Sequence, residues 1–165
     1  MRLLQITGAL EALKRIAELE LALADFYQTC GAGEGETRSL WQSLEQEERH
    51  HAENIHRMAD IIAARPAQFA PLRPFNTMAV QTFMSYVRAT AQRVRSGELS
   101  RADSAHLLTL ARDMEQSVLE SKYGEIVQTT DVEYQVLMRQ IVAETVAHKG
   151  KIVARLSAAG TGRQP

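Results

Sequence analysis

The sequence predicts an all-α protein, an antiparallel four-helix bundle with a long crossover and one additional helix. Three observations carry that reading. Apolar residues recur at three- and four-residue spacing over five stretches. No stretch alternates with period two for long enough to make a convincing strand. Nine Gly and four Pro fall short of the roughly 12% of an average chain and gather in short clusters. With 165 residues, 45% hydrophobic and 24% charged, the chain has the size and composition of a single globular domain. Its bundle core is expected at about residues 8–157, with the crossover and auxiliary helix at about 65–97.

The first helix opens at Thr7, which offers an N-cap. Leu10, Leu13, Ile16 or Ala17, Glu20, Leu23 or Ala24 and Tyr27 then share one stripe before Cys30. Gly31 to Gly35 reads as a turn between helices, because a phosphate cradle needs a Lys-Ser/Thr pair and a preceding strand. The second helix runs from Glu36 to about Ala64 on Leu40, Leu44, Glu47 or Glu48, His51, Ile55, Met58 or Ala59 and Ile62. Pro66, Pro71 and Pro74 exclude a helix across 65–75, which becomes the connection between two halves. Asn76 or Thr77 caps an auxiliary helix that ends near Ser96 and Gly97 and contributes Met78, Phe83, Tyr86, Val87 and Val94. Ser100 to Asp103 reads as a capping box. The helix it opens passes Leu107, Leu108, Ala111, Glu115, Val118 and Leu119 towards Thr129. Asp131 caps the last helix, with Leu137, Ile141, Glu144, His148, Ile152 and Leu156 ahead of the tail at Gly160.

Charge and cysteine content remove several function classes. Nineteen Lys and Arg balance twenty Asp and Glu, so neither nucleic acid nor an anionic membrane is expected as a partner. No apolar run approaches the roughly 18 residues of a membrane span, and the reading is of a soluble, cytoplasmic protein. A lone cysteine, Cys30, excludes a disulfide framework and any Cys-x-x-Cys module.

The informative feature is a set of acids and imidazoles at positions where the helical period demands burial. An ionised carboxylate in a core is prohibitively costly unless paired or bound to a cation. Glu48 and His51 are three apart, hence on one helix face, with Leu44 and Ile55 flanking His51. On the last helix Glu144 lies about 40° from the direction of His148, while Leu137 and Ile141 lie within about 20° of it. Glu20 is framed by Leu13 and Tyr27, and Glu115 by Leu108 and Val118 or Leu119. The halves echo each other: Glu20 to Glu48 spans 28 residues and Glu115 to Glu144 spans 29. Stacked as two antiparallel hairpins, they bring Glu20, Glu48, His51, Glu115, Glu144 and His148 to one level, the ligand set of a di-iron or di-manganese carboxylate centre. Carboxylate oxygen with imidazole nitrogen suits iron and manganese, and also admits zinc.

These motifs resemble the rubrerythrin branch of the ferritin-like superfamily over roughly residues 10–155. Glu20-Leu-Ala-Leu-Ala-Asp-Phe-Tyr27 is similar to its first-helix motif, Leu44-Glu-Gln-Glu-Glu48-Arg-His-His51-Ala52-Glu53 to its Glu-x-x-His helix, and Met114-Glu115-Gln-Ser to its third metal-binding helix. The resemblance implies a ferritin-like bundle holding two iron ions that deliver two electrons to peroxide or dioxygen. It implies Glu48 and Glu115 as bridges, Glu20 and Glu144 as terminal or bridging ligands, and His51 and His148 as terminal imidazoles. Glu20, Glu48 and Glu115 would be catalytic in the sense of ligating the reacting metals. It further implies a homodimer. No rubredoxin-like domain is encoded, so electrons come from a separate donor such as a rubredoxin. One departure stands out: on the last helix Thr145, not an acid, stands three residues before His148, and the nearest acid is Glu144.

Other residues have plainer readings. Tyr27 either hydrogen-bonds a metal ligand or is a core tyrosine with its hydroxyl satisfied. His50, His56 and His106 fall to the surface or helix ends, and Cys30 reads as a small buried hydrophobe. Met58, Met78, Met84, Met114 and Met138 read as core filler, and Trp41 as a dimer contact. Beside the oxidoreductase stand two other readings, a metal-holding or iron-handling protein with little turnover and a metal-free helical interaction module.

Overall fold

The computed structural model describes residues 2–72, 75–121 and 123–161. Five helices fill most of them: α1 (Arg2–Cys30), α2 (Arg38–Ala64), α3 (Thr77–Arg95), α4 (Ser104–Glu120) and α5 (Val132–Thr161). The helix α1 lies at the centre. Between Ala12 and Cys30 only Lys14, Leu21 and Gln28 are exposed, a narrow line at heptad spacing on a helix otherwise buried or half-buried all round. It packs along α2 on one side and α3 on another, while α4 packs along α5 and α5 closes against α2.

Burial decides the helix limits where the capping signals are weak. Ile6 and Ala9 carry the stripe of Leu13 and Ile16 one turn further back, so α1 starts at Arg2 and Thr7 lies within it. Gly31 closes the α1–α2 turn at close quarters: a Cβ there would stand 3.0 Å from the Trp41 Cβ. Asn76 caps α3 by accepting from the Ala79 amide at 3.0 Å, and Gly97, at φ 80°, lets the chain leave it. The buried face of α3 is Val80, Met84, Val87, Ala91 and Val94, a strict four-three repeat; Met78 and Tyr86, expected in the core, are 68% and 49% exposed. Asp103 rather than Ser100 is the N-cap of α4, accepting from the His106 amide at 3.1 Å.

The fourth helix stops at Glu120, well short of Thr129, and the chain forms a two-stranded antiparallel ribbon that the sequence did not suggest. Strand β1 (Phe69–Pro71) pairs with β2 (Val127–Thr129) in the register Phe69 to Thr129 and Pro71 to Val127. Phe69 is fully buried and meets Tyr134 of α5 edge to face, with ring centroids 5.2 Å apart. Asp131 ties this end together: its carboxylate accepts from the Tyr134 amide at 3.0 Å, capping α5, and meets Arg65 at the end of α2 at 2.8 Å. Pro74, assigned to the same connection, lies outside the described residues, as do Gly162–Pro165 of the tail. Among the described residues no helix is long and apolar enough to cross a membrane.

Candidate metal centre

Four bundle helices send ionisable side chains inward at positions their apolar neighbours force to be buried. Glu20 of α1, Glu48 and His51 of α2, Glu115 of α4 and His148 of α5 are each at most 1% exposed. Leu44 and Ile55 hold the α2 pair inward, and Ile141 and Ile152 do the same for His148.

Glu48 is the hub of the cluster. One of its oxygens lies 2.9 Å from Nδ1 of His51 and the other 2.8 Å from Nδ1 of His148. The rings lie nearly parallel, 5.2 Å apart with 19° between their planes. Each ring's Nε2 faces outward to a further carboxylate, Glu144 at 2.8 Å from His51 and Glu47 at 2.6 Å from His148. Glu115 approaches His148 Nδ1 at 3.7 Å and accepts a hydrogen bond from the Tyr27 hydroxyl, which is itself fully buried. Glu48, His51 and His148 each offer a ligand atom within 4.8 Å of the others, so this buried group can hold a metal ion.

Glu20 is the exception in an otherwise paired cluster. No donor group faces it: neither of its oxygens accepts a hydrogen bond, and the polar group beside it is the carboxyl of Glu48, with which it can only share a proton. Burial and the charge of Glu48 push its carboxyl well above the ordinary carboxylate range. Burial, together with the charge of Glu115, raises Glu48 to about 7. Burial opposes the charged form of His148, but the Glu115 and Glu48 carboxylates outweigh it and raise the ring to about 11. Burial and Glu115 also push the Tyr27 phenol well above its usual value. Glu20, Glu48 and His148 thus hold protons that a cation can displace, and a cation would also give the Glu20 oxygens the counter-charge they lack.

The edge of the cluster differs from the sequence reading. Glu144 is not enclosed: its side chain is 34% exposed, and it accepts from Gln140 at 2.8 Å besides meeting His51. Partial burial opposes its ionisation, but Gln140 and His51 hold the carboxyl below the usual range. Thr145 takes the buried place beside it and donates its hydroxyl to the Ile141 carbonyl at 2.9 Å. Glu47, not separated from Glu48 by the sequence reading, stands behind His148. Partial burial opposes its charge, but Ser43, Lys151 and His148 outweigh that and hold it at about 2. The signal available for it was spacing, since Glu47 precedes His51 by four residues as Glu144 precedes His148.

The residues given plainer readings mostly keep them. His50, His56 and His106 are exposed. Cys30 is buried, and burial, only partly offset by Arg101, pushes its thiol up to about 12, so it is not a reactive thiolate. Trp41, expected as a dimer contact, is 1% exposed in the core, stacked on Tyr27 at 5.8 Å with its indole N–H donating to Thr37. Met58, Met84, Met114 and Met138 are buried, and Met78 is not. Compared with known protein families, curated proteins and solved structures, the chain matches none.

Proposed function

We propose that the chain is a metal-dependent oxidoreductase of the rubrerythrin-like, ferritin-like kind. In this reading it holds two iron ions in the buried carboxylate and histidine cluster and reduces hydrogen peroxide or dioxygen with electrons from a separate donor. The observation that carries the reading is Glu20, a wholly buried carboxylate whose oxygens accept no hydrogen bond, beside a group that can ligate metal. Mutual neutralisation accounts for Glu48, Glu115 and both histidines, whereas Glu20 faces no donor and can only share a proton with the Glu48 carboxyl, so a metal-free interaction module is the poorer account.

Glu20, Glu48, His51, Glu115 and His148 would hold the metal, and bound iron would supply electrons and open coordination positions. The chain's own part is to exclude bulk water, fix the ligands and place a proton. Phe26 and Trp41 pack on the ring of Tyr27 and point its hydroxyl at Glu115. Peroxide takes up two electrons and two protons to give two waters, and the Tyr27–Glu115 hydrogen bond holds one proton at the buried side of the site. Thr145 favours a second reading, a metal-holding protein with little turnover, because it puts a hydroxyl bonded to its own helix where an acid would complete a Glu-x-x-His pair.

Metal analysis of protein purified without chelator, followed by peroxide addition under anaerobic conditions, separates these readings. About two iron per chain, oxidised by peroxide faster than free ferrous ion, is the expected result. Metal uptake without accelerated oxidation favours the holding protein. No uptake after ferrous loading removes both.

A further inference from the structure

Glu47 and Glu144 stand in the same relation to the two histidines. Each precedes a histidine of its own helix by four residues, Glu47 before His51 and Glu144 before His148. Each nevertheless bonds the histidine of the other helix: Glu47 meets His148 Nε2 at 2.6 Å, and Glu144 meets His51 Nε2 at 2.8 Å. Both are about one-third exposed, while the rings they touch are fully buried. Both are themselves held. Ser43 donates to Glu47 at 2.7 Å and Lys151 at 2.9 Å, and Gln140 donates to Glu144 at 2.8 Å.

We propose that Glu47 and Glu144 are a crossed pair of positioning residues, each fixing the Nε2 of the opposite helix's histidine so that both rings present Nδ1 to Glu48. The proposal rests on the metal reading above for its use, and it takes Glu144 out of the ligand set. An imidazole whose outer nitrogen donates to a carboxylate is fixed in tautomer and ring plane, and its inner nitrogen becomes a better ligand. The same crossing places Thr145 in the register of Glu48, one residue after its bracing carboxylate on each helix. One half therefore supplies a carboxylate between the rings and the other a hydroxyl turned away to Ile141. The centre is built asymmetrically, with Glu48 as the one carboxylate joining both imidazoles.

Cobalt(II) is the probe, because its visible spectrum reports coordination while competition with a chelator gives affinity. Glu47→Leu and Glu144→Leu are each expected to weaken cobalt binding roughly 10- to 100-fold with stoichiometry and spectral shape retained. Glu47→Gln and Glu144→Gln, whose amide oxygen still accepts from Nε2–H, should recover most of that loss. A lost ion or a changed cobalt spectrum in Glu144→Gln would overturn the assignment and make Glu144 a ligand. Unchanged affinity in both leucine variants would overturn it as well. A metal-free arm separates this proposal from the metal reading: imidazole nitrogen NMR of the apoprotein should lose the hydrogen-bonded Nε2 proton of His148 in Glu47→Leu and of His51 in Glu144→Leu. Failure of that crossed pattern overturns the pairing whether or not cobalt binds, whereas absent cobalt uptake with the pattern intact overturns only the metal reading.

Discussion

His51 and His148, on different helices, lie almost parallel 5.2 Å apart and point the same ring nitrogen at the two oxygens of Glu48. Without that carboxylate the buried His148 imidazolium would lose one of the two carboxylates that hold its charge. Glu48 therefore matters to the metal-free fold as well as to any metal it holds. Replacing it with Ala should reduce bound metal to background and also destabilise the apoprotein, by about 3–5 kcal/mol as expected for one partner of a buried charged group. Glu48→Ala protein that retains full metal would remove the ligand set.

The pH dependence of the apoprotein follows from the same contacts. Glu48 sits at about 7, above its ordinary 4.5. The stability contributed by its protonated form is thus complete below 4.5 and is lost as pH rises through about 7. His148, raised from 6.5 to about 11, behaves alike: its contribution is complete below 6.5 and lost through about 11. Glu47, lowered from 4.5 to about 2, contributes above 4.5 and is lost as pH falls through about 2. Urea midpoints of metal-free protein should therefore fall between about pH 5 and pH 8. Metal-loaded protein should lack that fall, because ligation needs the deprotonated groups and so strengthens with pH. A midpoint that climbs over this range without metal would contradict the assigned shifts.

Glu20 separates stability from function. A buried carboxyl whose oxygens accept no hydrogen bond weakens the metal-free fold, so Glu20→Leu should stabilise the apoprotein by about 0.5–2 kcal/mol, the usual yield of relieving a functional liability. The same change should lower metal content. Calorimetry of the stripped variant, with metal analysis of the loaded one, reads both; an apoprotein made less stable would mean that Glu20 has a structural role.

Much of this site was legible because burial and charge conflict visibly in a helical sequence. Glu20, Glu48, His51, Glu115 and His148 each interrupt an apolar stripe, and each is buried in the fold. Position along a stripe fixes a direction only to within a fraction of a turn, and the roughly 40° between Glu144 and His148 is enough to leave the Glu144 side chain one-third exposed at the edge of the cluster. Glu47 escaped for the complementary reason, lying beside a better-buried acid. The ribbon was illegible because three-residue strands are too short for a period, and their pairing, Phe69 with Thr129, spans sixty residues. On α3 the large side chains Met78 and Tyr86 drew attention from the smaller Val80 and Ala91, which with Met84, Val87 and Val94 hold the four-three repeat.

Tyr27 tests whether the hydrogen bond to Glu115 is part of the fold's stability. Its ring is fully buried between Phe26 and Trp41, so Tyr27→Phe keeps the packing and removes only the donor. A buried hydrogen bond to a carboxyl group is worth about 0.5–3 kcal/mol. The variant should lose about that much in urea unfolding of the apoprotein while its near-ultraviolet circular dichroism stays native-like. A loss below about 0.5 kcal/mol would mean that Glu115 finds another donor.

Phe69 tests the crossover. The ribbon buries its side chain against Tyr134 and α1, and pairs β1 with the strand that leads into α5 through Asp131. Truncating a fully buried phenylalanine to alanine costs about 3–5 kcal/mol when the surroundings cannot collapse. Here the antiparallel pairing and the Arg65–Asp131 ion pair at 2.8 Å hold the walls apart, which favours the upper part of that range. Because Phe69 packs on Tyr134, ten residues before Glu144 along α5, Phe69→Ala at low temperature should still bind metal at the native stoichiometry. Loss of metal in a folded Phe69→Ala protein would mean that the crossover sets the spacing of α2 and α5, and with it the distance between His51 and His148.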